Sequence, residues 1–235
     1  MTATMPEHTK GQPTPITEDQ IWDAYNLLLG GPDLERLRKM LARYELFRRT
    51  IDLPGDVVEA GVFKGTGLLY FLKLIMIHAP GSLKRVVGFD LFQGFLDSAT
   101  SEEKASVSRL LQVSNFTGNT PDDVHRLVAD AGFPKERCEL IAGDIGTEAQ
   151  RYVDENPGFR ISLLNMDLDL GRPTQEALSA LWPRVVPGGI VILDEYAIGS
   201  WSASEGVDSW LADKEIRIQT LPWSRSPTAY FTKTL

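Results

Sequence analysis

The chain has 235 residues and a formal net charge of −8, from 24 basic and 32 acidic side chains. The length suits one sizeable α/β domain with a full core, and the acidity disfavours nucleic-acid and anionic-membrane partners. Cys138 is the only cysteine and no apolar run approaches the roughly 20 residues of a membrane span, which predicts a cytoplasmic protein without an internal disulfide.

The first fifty residues predict an arm followed by helices. Residues 1–15 are polar, contain three prolines and lack the apolar core of a signal peptide, so we expect a flexible arm. Residues 16–50 predict a helical cover, whose second helix runs from about residue 33 to 49. The apolar stripe of that helix consists of Leu34, Leu37, Leu41, Tyr44 and Phe47. Its other face is basic, includes Lys39 and Arg43, and is expected to be solvated, with one arginine able to reach a substrate.

Residues 51–235 predict a single domain that opens with a strand at 56–60, a glycine-rich turn at 61–67 and a helix at 68–78. In such a unit the glycines let the backbone approach a ligand, and the start of the helix offers free N–H groups. The glycine spacing is G-x-x-x-G-x-G, which differs from the dinucleotide pattern G-x-G-x-x-G. Glu59 lies two residues before the first glycine, where it can bind a cationic or hydroxyl group of a ligand.

Acids also end the next two strands. The strand at 85–89 runs into Asp90, which would either bind a ribose diol or cap a helix. The strand at 138–142 runs into Gly143 and Asp144. Between these strands, residues 94–120 form a polar stretch with one short helix, a position suited to a mobile lid.

Two apolar runs further along the chain each end in a pair of carboxylates. The first precedes Asp167 and Asp169, and the second precedes Asp194 and Glu195. A predicted helix at 173–182 and a tight turn at 186–189 separate the two runs. The two strands are therefore expected to be parallel neighbours. Asp167, Asp194 and Glu195 would then converge, and such acids repel one another unless a cation lies among them. A hard divalent ion such as Mg²⁺ fits three oxygen ligands.

The C-terminal part predicts an antiparallel hairpin. The strands at 216–221 and 228–234 are separated by only six residues, which is too few for a parallel crossover. The predicted sheet is therefore mainly parallel, with one antiparallel hairpin at its end.

Several of these stretches together resemble one enzyme family. The stretches VVEAGVFKGTG, GFDLFQGF, LIAGDI, MDLDL, PGGIVILDEY and GVDSWL, between about residues 55 and 213, are similar to macrocin O-methyltransferases. The resemblance implies an S-adenosylmethionine- and Mg²⁺-dependent enzyme that methylates sugar hydroxyls of macrolides and related natural products. It also implies a class I methyltransferase fold, a Rossmann-like three-layer α/β sandwich with a seven-stranded sheet.

Site residues follow from the resemblance position by position. The implied cofactor site consists of Glu59, Gly61, Val62, Phe63, Lys64, Gly65, Thr66, Gly67, Asp90, Gly143, Asp144 and Asp167. Within it, Glu59 lies near the methionyl amino group, Asp90 on the ribose and Gly143-Asp144 beside the adenine. The implied metal ligands are Asp167, Asp194 and Glu195, although many members of the family carry Asp-Asp where this chain has Asp194-Glu195.

A base must accept the proton of the acceptor hydroxyl. Asp169, two residues past Asp167, is expected on the same face of an extended strand; alternatively, Asp167 serves as both ligand and base. The acceptor is expected to be a glycosylated natural product or an activated sugar, and the protein a homo-oligomer. Three other interpretations stay open, namely a catechol or amine acceptor, a cofactor-binding protein that has lost catalysis, and an NAD-dependent oxidoreductase.

Overall fold

The computed structural model describes residues 16–92 and 99–234, which form two compact units divided after Leu34. The first unit contains helix α1 (Glu18–Leu29). Helix α1 begins with a capping box, in which the Thr17 hydroxyl accepts a hydrogen bond from the Gln20 N–H and the Gln20 side chain accepts one from the Thr17 N–H. The helix buries none of its side chains. The arm predicted at residues 1–15 lies outside the described residues.

The second unit holds the remaining helices and the sheet. Its helices are α2 (Glu35–Arg48), α3 (Thr66–His78), α4 (Ser101–Val113), α5 (Pro121–Asp130), α6 (Ile145–Glu155), α7 (Gly171–Leu181) and α8 (Ala203–Leu211). Its strands are β1 (Asp56–Ala60), β2 (Val86–Asp90), β3 (Cys138–Ala142), β4 (Ile161–Met166), β5 (Val185–Leu193) and β6 (Ala229–Thr232). Helix α2 thus belongs to the same unit as the sheet, whereas the sequence placed a boundary after residue 50. Among the residues described, no helix is long and apolar enough to cross a membrane.

The sheet has the order β3-β2-β1-β4-β5-β6. The first five strands are parallel, and β6 pairs antiparallel with β5. Successive residues of a strand enter different apolar clusters: Val57 belongs to one and Val58 to the other. Because neighbouring side chains on a strand point to opposite faces, the two clusters lie on opposite faces of the sheet. One cluster includes residues of α2, α3 and α5, and the other includes residues of α6, α7 and α8, which gives a three-layer sandwich.

The expected seventh strand is not continuous. Within the described residues the sheet has six strands, and the segment predicted at 216–221 contributes only an isolated antiparallel bridge between Gln219 and Tyr230. Ile216 and Ile218 nevertheless pack against the apolar cluster that includes β6 residues. The alternating apolar residues of this segment are therefore partly buried although they do not form a continuous strand. Strand β6 pairs with β5 along its other edge.

The stripe predicted for α2 is also wrong in part. Leu34 and Leu41 are 52% and 55% exposed. The buried residues of this helix are Ala42, Arg43, Leu46 and Phe47. The helix is therefore rotated relative to the expected face, which carries a basic residue into the protein.

Candidate active site

The candidate active site lies at the carboxyl edge of the parallel sheet. Register pairs join Ala60 to Phe89, Ala60 to Met166, and Met166 to Leu193, so β1, β2, β4 and β5 end level with one another. Acids lie at or just past these ends, namely Glu59, Asp90, Asp167 and Asp194. Open α/β sheets bind their ligands in the crevice at this edge.

The glycine-rich turn after β1 packs closely on these acids. Gly61 has a φ of +94°, and a Cβ atom there would lie 1.8 Å from the carbonyl oxygen of Asp167. A Cβ atom on Gly67 would lie 1.9 Å from Oε1 of Glu59. Both positions therefore need glycine, because other site residues already occupy the space of a side chain.

Asp90 holds this turn in place. Its Oδ2 accepts hydrogen bonds from the N–H groups of Val62 at 2.7 Å and Phe63 at 2.8 Å, and its Oδ1 accepts one from Phe92 at 2.7 Å. The carboxylate thus orders the backbone that the sequence assigned to the cofactor. Asp144, in contrast, caps helix α6 by accepting a hydrogen bond from the Gly146 N–H at 3.1 Å.

The segment after α4 covers the turn. Phe116 packs edge-on against Phe63, with 4.4 Å between ring centroids. Asn119 Nδ2 donates to the Phe63 carbonyl at 2.7 Å, and Lys64 Nζ donates to the Ser114 carbonyl at 2.6 Å. Residues 94–98 of the predicted lid lie outside the described residues, so a lid over 94–120 stays a prediction.

Glu59 is a buried acid with one unsatisfied oxygen. The residue is 2% exposed, and its Oε1 lies 3.4 Å from Nδ2 of Asn165 and 3.7 Å from the Arg43 guanidinium. Its Oε2 is buried and has no hydrogen-bond partner. Burial raises the pKa of Glu59 to about 8, against the opposing effect of the Arg43 charge. A cationic group of a ligand would satisfy the free oxygen and favour the ionised carboxylate.

The structure brings Asp167, Asp194 and Glu195 together. Each offers one carboxylate oxygen, and these three oxygens lie within 4.8 Å of one another. Asp194 is fully buried and accepts a hydrogen bond from Ser226 Oγ at 2.8 Å. Oε2 of Glu195 is buried without a hydrogen-bond partner. Burial and the nearby charge of Asp194 raise the pKa of Glu195, so the cluster favours any cation that neutralises it.

Two cations from α2 reach the same cluster, which sequence reasoning missed. Lys39 Nζ forms ion pairs with Asp194 and, at 3.2 Å, with Asp167 Oδ2. Arg43 Nη2 lies 2.7 Å from Asp167 Oδ2 and 3.3 Å from Asp194 Oδ1, and Arg43 is 5% exposed. The expectation of a solvated basic face is therefore wrong for these two residues. Their spacing of four, which places both on one helix face, is the sequence signal that could have linked them.

The mutual pairing shifts the pKa values of Asp194, Lys39 and Arg43. Although burial alone would raise the pKa of the Asp194 carboxyl, Lys39 and Arg43 together hold it below its usual range. Burial opposes the charged forms of Lys39 and Arg43, but Asp167 and Asp194 raise the pKa of both residues. The ionised forms thus stabilise one another at neutral pH.

Asp169 is beside the cluster but not on a strand. Strand β4 ends at Met166, and Asp169 has a φ of +63°, so the expected extended geometry through Asp167 and Asp169 is wrong. The Ala203 N–H donates to the Asp169 carbonyl oxygen at 3.1 Å, which fixes this turn. Burial, followed by the charges of Asp167 and Asp194, raises the pKa of the Asp169 carboxyl. The Asp169 carboxyl is thus close enough to Asp167 and Asp194 for their charges to affect its pKa.

The chain matches one family over most of its length. A model of the family described as Macrocin-O-methyltransferase (TylF) matches residues 18–222. The 8-demethyl-8-(2,3-dimethoxy-alpha-L-rhamnosyl)-tetracenomycin-C 4'-O-methyltransferase of Streptomyces olivaceus is 29% identical over 149 residues, which cover 62% of this chain and 54% of that protein. The mycinamicin III 3''-O-methyltransferase of Micromonospora griseorubida is 28% identical, over 62% of this chain and 57% of its own. The chain thus spans little more than half the length of these curated relatives.

Solved structures share the fold. The apo structure of a TDP-rhamnose 3'-O-methyltransferase of calicheamicin biosynthesis is 27% identical, with a TM-score of 0.68 over 93% of this chain and 87% of its own. The O-methyltransferase NovP is 22% identical, with a TM-score of 0.70 over 85% of this chain and 81% of its own. This likeness confirms the methyltransferase fold that the sequence resemblance implied.

Proposed function

Because the chain belongs to the macrocin O-methyltransferase family, we propose that it moves a methyl group from S-adenosylmethionine to a sugar hydroxyl of a natural product. The observation that carries the proposal is the juxtaposition of two sets of acids at one sheet edge. Glu59 has a free oxygen beside the glycine-rich turn, and three further carboxylates converge at the ends of β4 and β5. The names of the relatives, which are O-methyltransferases of a rhamnosyl-tetracenomycin and of mycinamicin III, support the choice of acceptor.

The cofactor would be held by the turn and the acids around it. The residues assigned to it are Glu59, Gly61, Val62, Phe63, Lys64, Gly65, Thr66, Gly67, Asp90, Gly143, Asp144 and Asp167. S-adenosylmethionine, when bound, supplies the methyl group on a sulfonium. The buried, unpaired Oε2 of Glu59 suits the methionyl ammonium, and Asp90 keeps the turn in shape through its three backbone hydrogen bonds.

The metal would be held by Asp167, Asp194 and Glu195. Three convergent carboxylate oxygens are a donor set that suits Mg²⁺, and Glu195 also has a buried Oε2 without a hydrogen-bond partner. The ion, when bound, lowers the pKa of a coordinated hydroxyl and holds it in position. Glu195 has one more methylene than the aspartate usual at this position in the family. Its carboxylate therefore extends further from the backbone than an aspartate carboxylate would.

Asp169 is the proposed base. It lies beside the cluster without being one of the three convergent groups, and its turn is fixed by the hydrogen bond from Ala203. In this proposal the Asp169 carboxylate accepts the proton of the acceptor hydroxyl. Asp167 remains the second candidate, in which case one carboxylate would both bind the ion and accept the proton.

A catechol or amine acceptor is the second candidate function. It would need an aromatic slot, for which the sequence offers Phe92, Phe95, Phe116, Trp201 and Trp223. In the structure Phe92 is buried, Phe116 packs on Phe63, and Phe95 lies outside the described residues. These positions give less support to an aromatic slot than the names of the relatives give to a sugar acceptor.

A cofactor-binding protein that has lost catalysis is a further alternative. Such a protein would bind S-adenosylmethionine but show no methyl transfer to any sugar acceptor.

Replacing Asp90 with alanine tests the cofactor site. We expect S-adenosylmethionine to bind about tenfold or more weakly, because the variant loses three hydrogen bonds to an ionised group and the turn loses its order. Isothermal titration calorimetry measures the effect, and Asp130→Ala, at an exposed position that ends α5, is the matched control. Equal affinity in the wild type and Asp90→Ala would contradict the assignment of Asp90.

We also propose that the protein is a cytoplasmic homo-oligomer with no nucleic-acid or membrane partner. Trp22 and Tyr25 of α1 are 62% and 53% exposed, which leaves apolar surface for a second copy. The net charge of −8 supports the proposal that neither nucleic acid nor a membrane is a partner. The single, buried Cys138 supports the cytoplasmic location. Light scattering should give a multiple of the 26.1 kDa chain mass at micromolar concentration; a mass near 26.1 kDa would contradict the oligomer.

A further inference from the structure

Lys39 and Arg43 make different use of the same acids. Arg43 is the inner cation: its guanidinium is paired with Glu59, Asp167 and Asp194, and it lies 5.9 Å from the centre of the Phe71 ring. Lys39, one helical turn earlier, is the outer cation and contacts only Asp167 and Asp194 among these acids. Its side chain is 25% exposed, against 6% for Arg43.

The contacts of Lys39 coincide with the proposed metal ligands. Its ammonium lies on Oδ2 of Asp167 and on Oδ2 of Asp194, and both residues belong to the convergent carboxylate group. A small divalent ion binds such oxygens at about 2.0–2.1 Å. An ammonium and an ion of this kind cannot share the same oxygens, because two cations at that separation repel strongly.

We propose that Lys39 is a tethered competitor of the divalent ion, so that helix α2 sets the metal affinity of the site. The inference rests on the proposed metal role of Asp167, Asp194 and Glu195. The Lys39 ammonium neutralises the carboxylates until an ion binds, and then turns outward to solvent. Lys39 is a positioning residue in this account, since it acts on the ligands and not on the substrate.

The structure explains why Lys39, and not Arg43, is the group that leaves. Lysine has a flexible four-carbon stem and a compact ammonium, which can move to water without moving the backbone. Arg43 is enclosed by three acids and an aromatic ring. The Tyr70 hydroxyl donates to the Met40 carbonyl at 2.7 Å, which holds α2 on α3 between the two cations. The exchange therefore needs only a change of side-chain rotamer.

The charges around the site support an exchange over simple addition. Two cations, Lys39 and Arg43, face a larger group of acids made up of Glu59, Asp167, Asp169, Asp194 and Glu195. Departure of Lys39 removes one positive charge, and a divalent ion brings two. Arg43 continues to neutralise the side of the cluster nearest Glu59 throughout.

Metal binding measured without turnover tests the inference. Mn²⁺ is titrated into the full chain at pH 7.5, and free Mn²⁺ is followed by its electron paramagnetic resonance signal. Lys39→Met is expected to bind Mn²⁺ at least about tenfold more tightly than the wild type, since a close opposing charge is removed. Lys39→Arg, which keeps the charge, should stay close to the wild type. Arg36→Met removes a charge from an exposed position of the same helix and is the matched control.

The possible results separate this inference from the proposed function. Tighter binding by Lys39→Met alone supports the competition, and so does binding by Lys39→Met when the wild type binds no Mn²⁺. If the wild type binds Mn²⁺ and Lys39→Met binds it no more tightly than Arg36→Met does, Lys39 is not a competitor and the metal role stands. If no variant binds Mn²⁺, both the metal role and the competition are overturned. Circular dichroism of each variant verifies that it is folded.

Discussion

Asp194→Asn is expected to lower kcat/KM for methyl transfer by about a hundredfold or more. The amide keeps the shape of the side chain but removes the charge that would hold a hard cation. The measurement is transfer of a labelled methyl group from S-adenosylmethionine to a sugar acceptor at saturating Mg²⁺.

Two variants control for this result. Asp208→Asn changes an exposed acid that binds the Tyr196 hydroxyl at 2.8 Å, and its activity should stay near that of the wild type. Glu195→Asp should keep more activity than Asp194→Asn, because it restores the carboxylate pair usual in the family. Asp194→Asn is also expected to destabilise the protein, since it takes a partner from both Lys39 and Arg43. If Asp194→Asn has wild-type kcat/KM, Asp194 is not a metal ligand.

Arg43→Met is expected to destabilise the protein by about 3–5 kcal/mol, because it leaves buried carboxylates without a cation. Arg43 is 5% exposed and pairs with Glu59, Asp167 and Asp194. For a chain of this length the loss corresponds to a fall in Tm of roughly 10 °C. Denaturant unfolding and calorimetry measure the two quantities, both in the absence of divalent ions.

The appropriate comparison is a basic residue on the exposed side of the same helix. Arg48→Met removes an exposed guanidinium and should change stability by less than about 0.5 kcal/mol. Adding Glu59→Gln to Arg43→Met should recover part of the loss, since it removes one of the unpaired acids. A free energy of unfolding for Arg43→Met within about 1 kcal/mol of the wild type would contradict the buried ion network.

The positions of the acids at the sheet edge were predictable, and their environment was not. Apolar runs that end in acids show where buried parallel strands stop, and parallel neighbours end at the same edge. This pattern located Glu59, Asp90, Asp167 and Asp194 without a structure. It could not show that the Asp90 carboxylate accepts hydrogen bonds from the N–H groups of Val62, Phe63 and Phe92, because these bonds depend on the shape of the turn.

The errors arise where tertiary contacts override local pattern. In α2 the leucine stripe is the stronger periodic signal, yet acids more than a hundred positions later draw Lys39 and Arg43 inward. A charged residue is buried only if partners are present, and no local window of sequence contains those partners. Asp169 was misplaced for a related reason. Strand β4 ends three residues earlier, and a left-handed backbone conformation at an aspartate has no reliable sequence signature.

The central claim is that Asp167, Asp194 and Glu195 hold a divalent ion that methyl transfer requires. Its most direct test measures S-adenosylmethionine binding by calorimetry and methyl transfer by labelled product, each with and without excess chelator. The account predicts that the chelator abolishes transfer, that added Mg²⁺ restores it, and that cofactor affinity is nearly unchanged. Full methyl transfer in excess chelator would contradict the claim and leave Asp169 as a base acting without a metal ion.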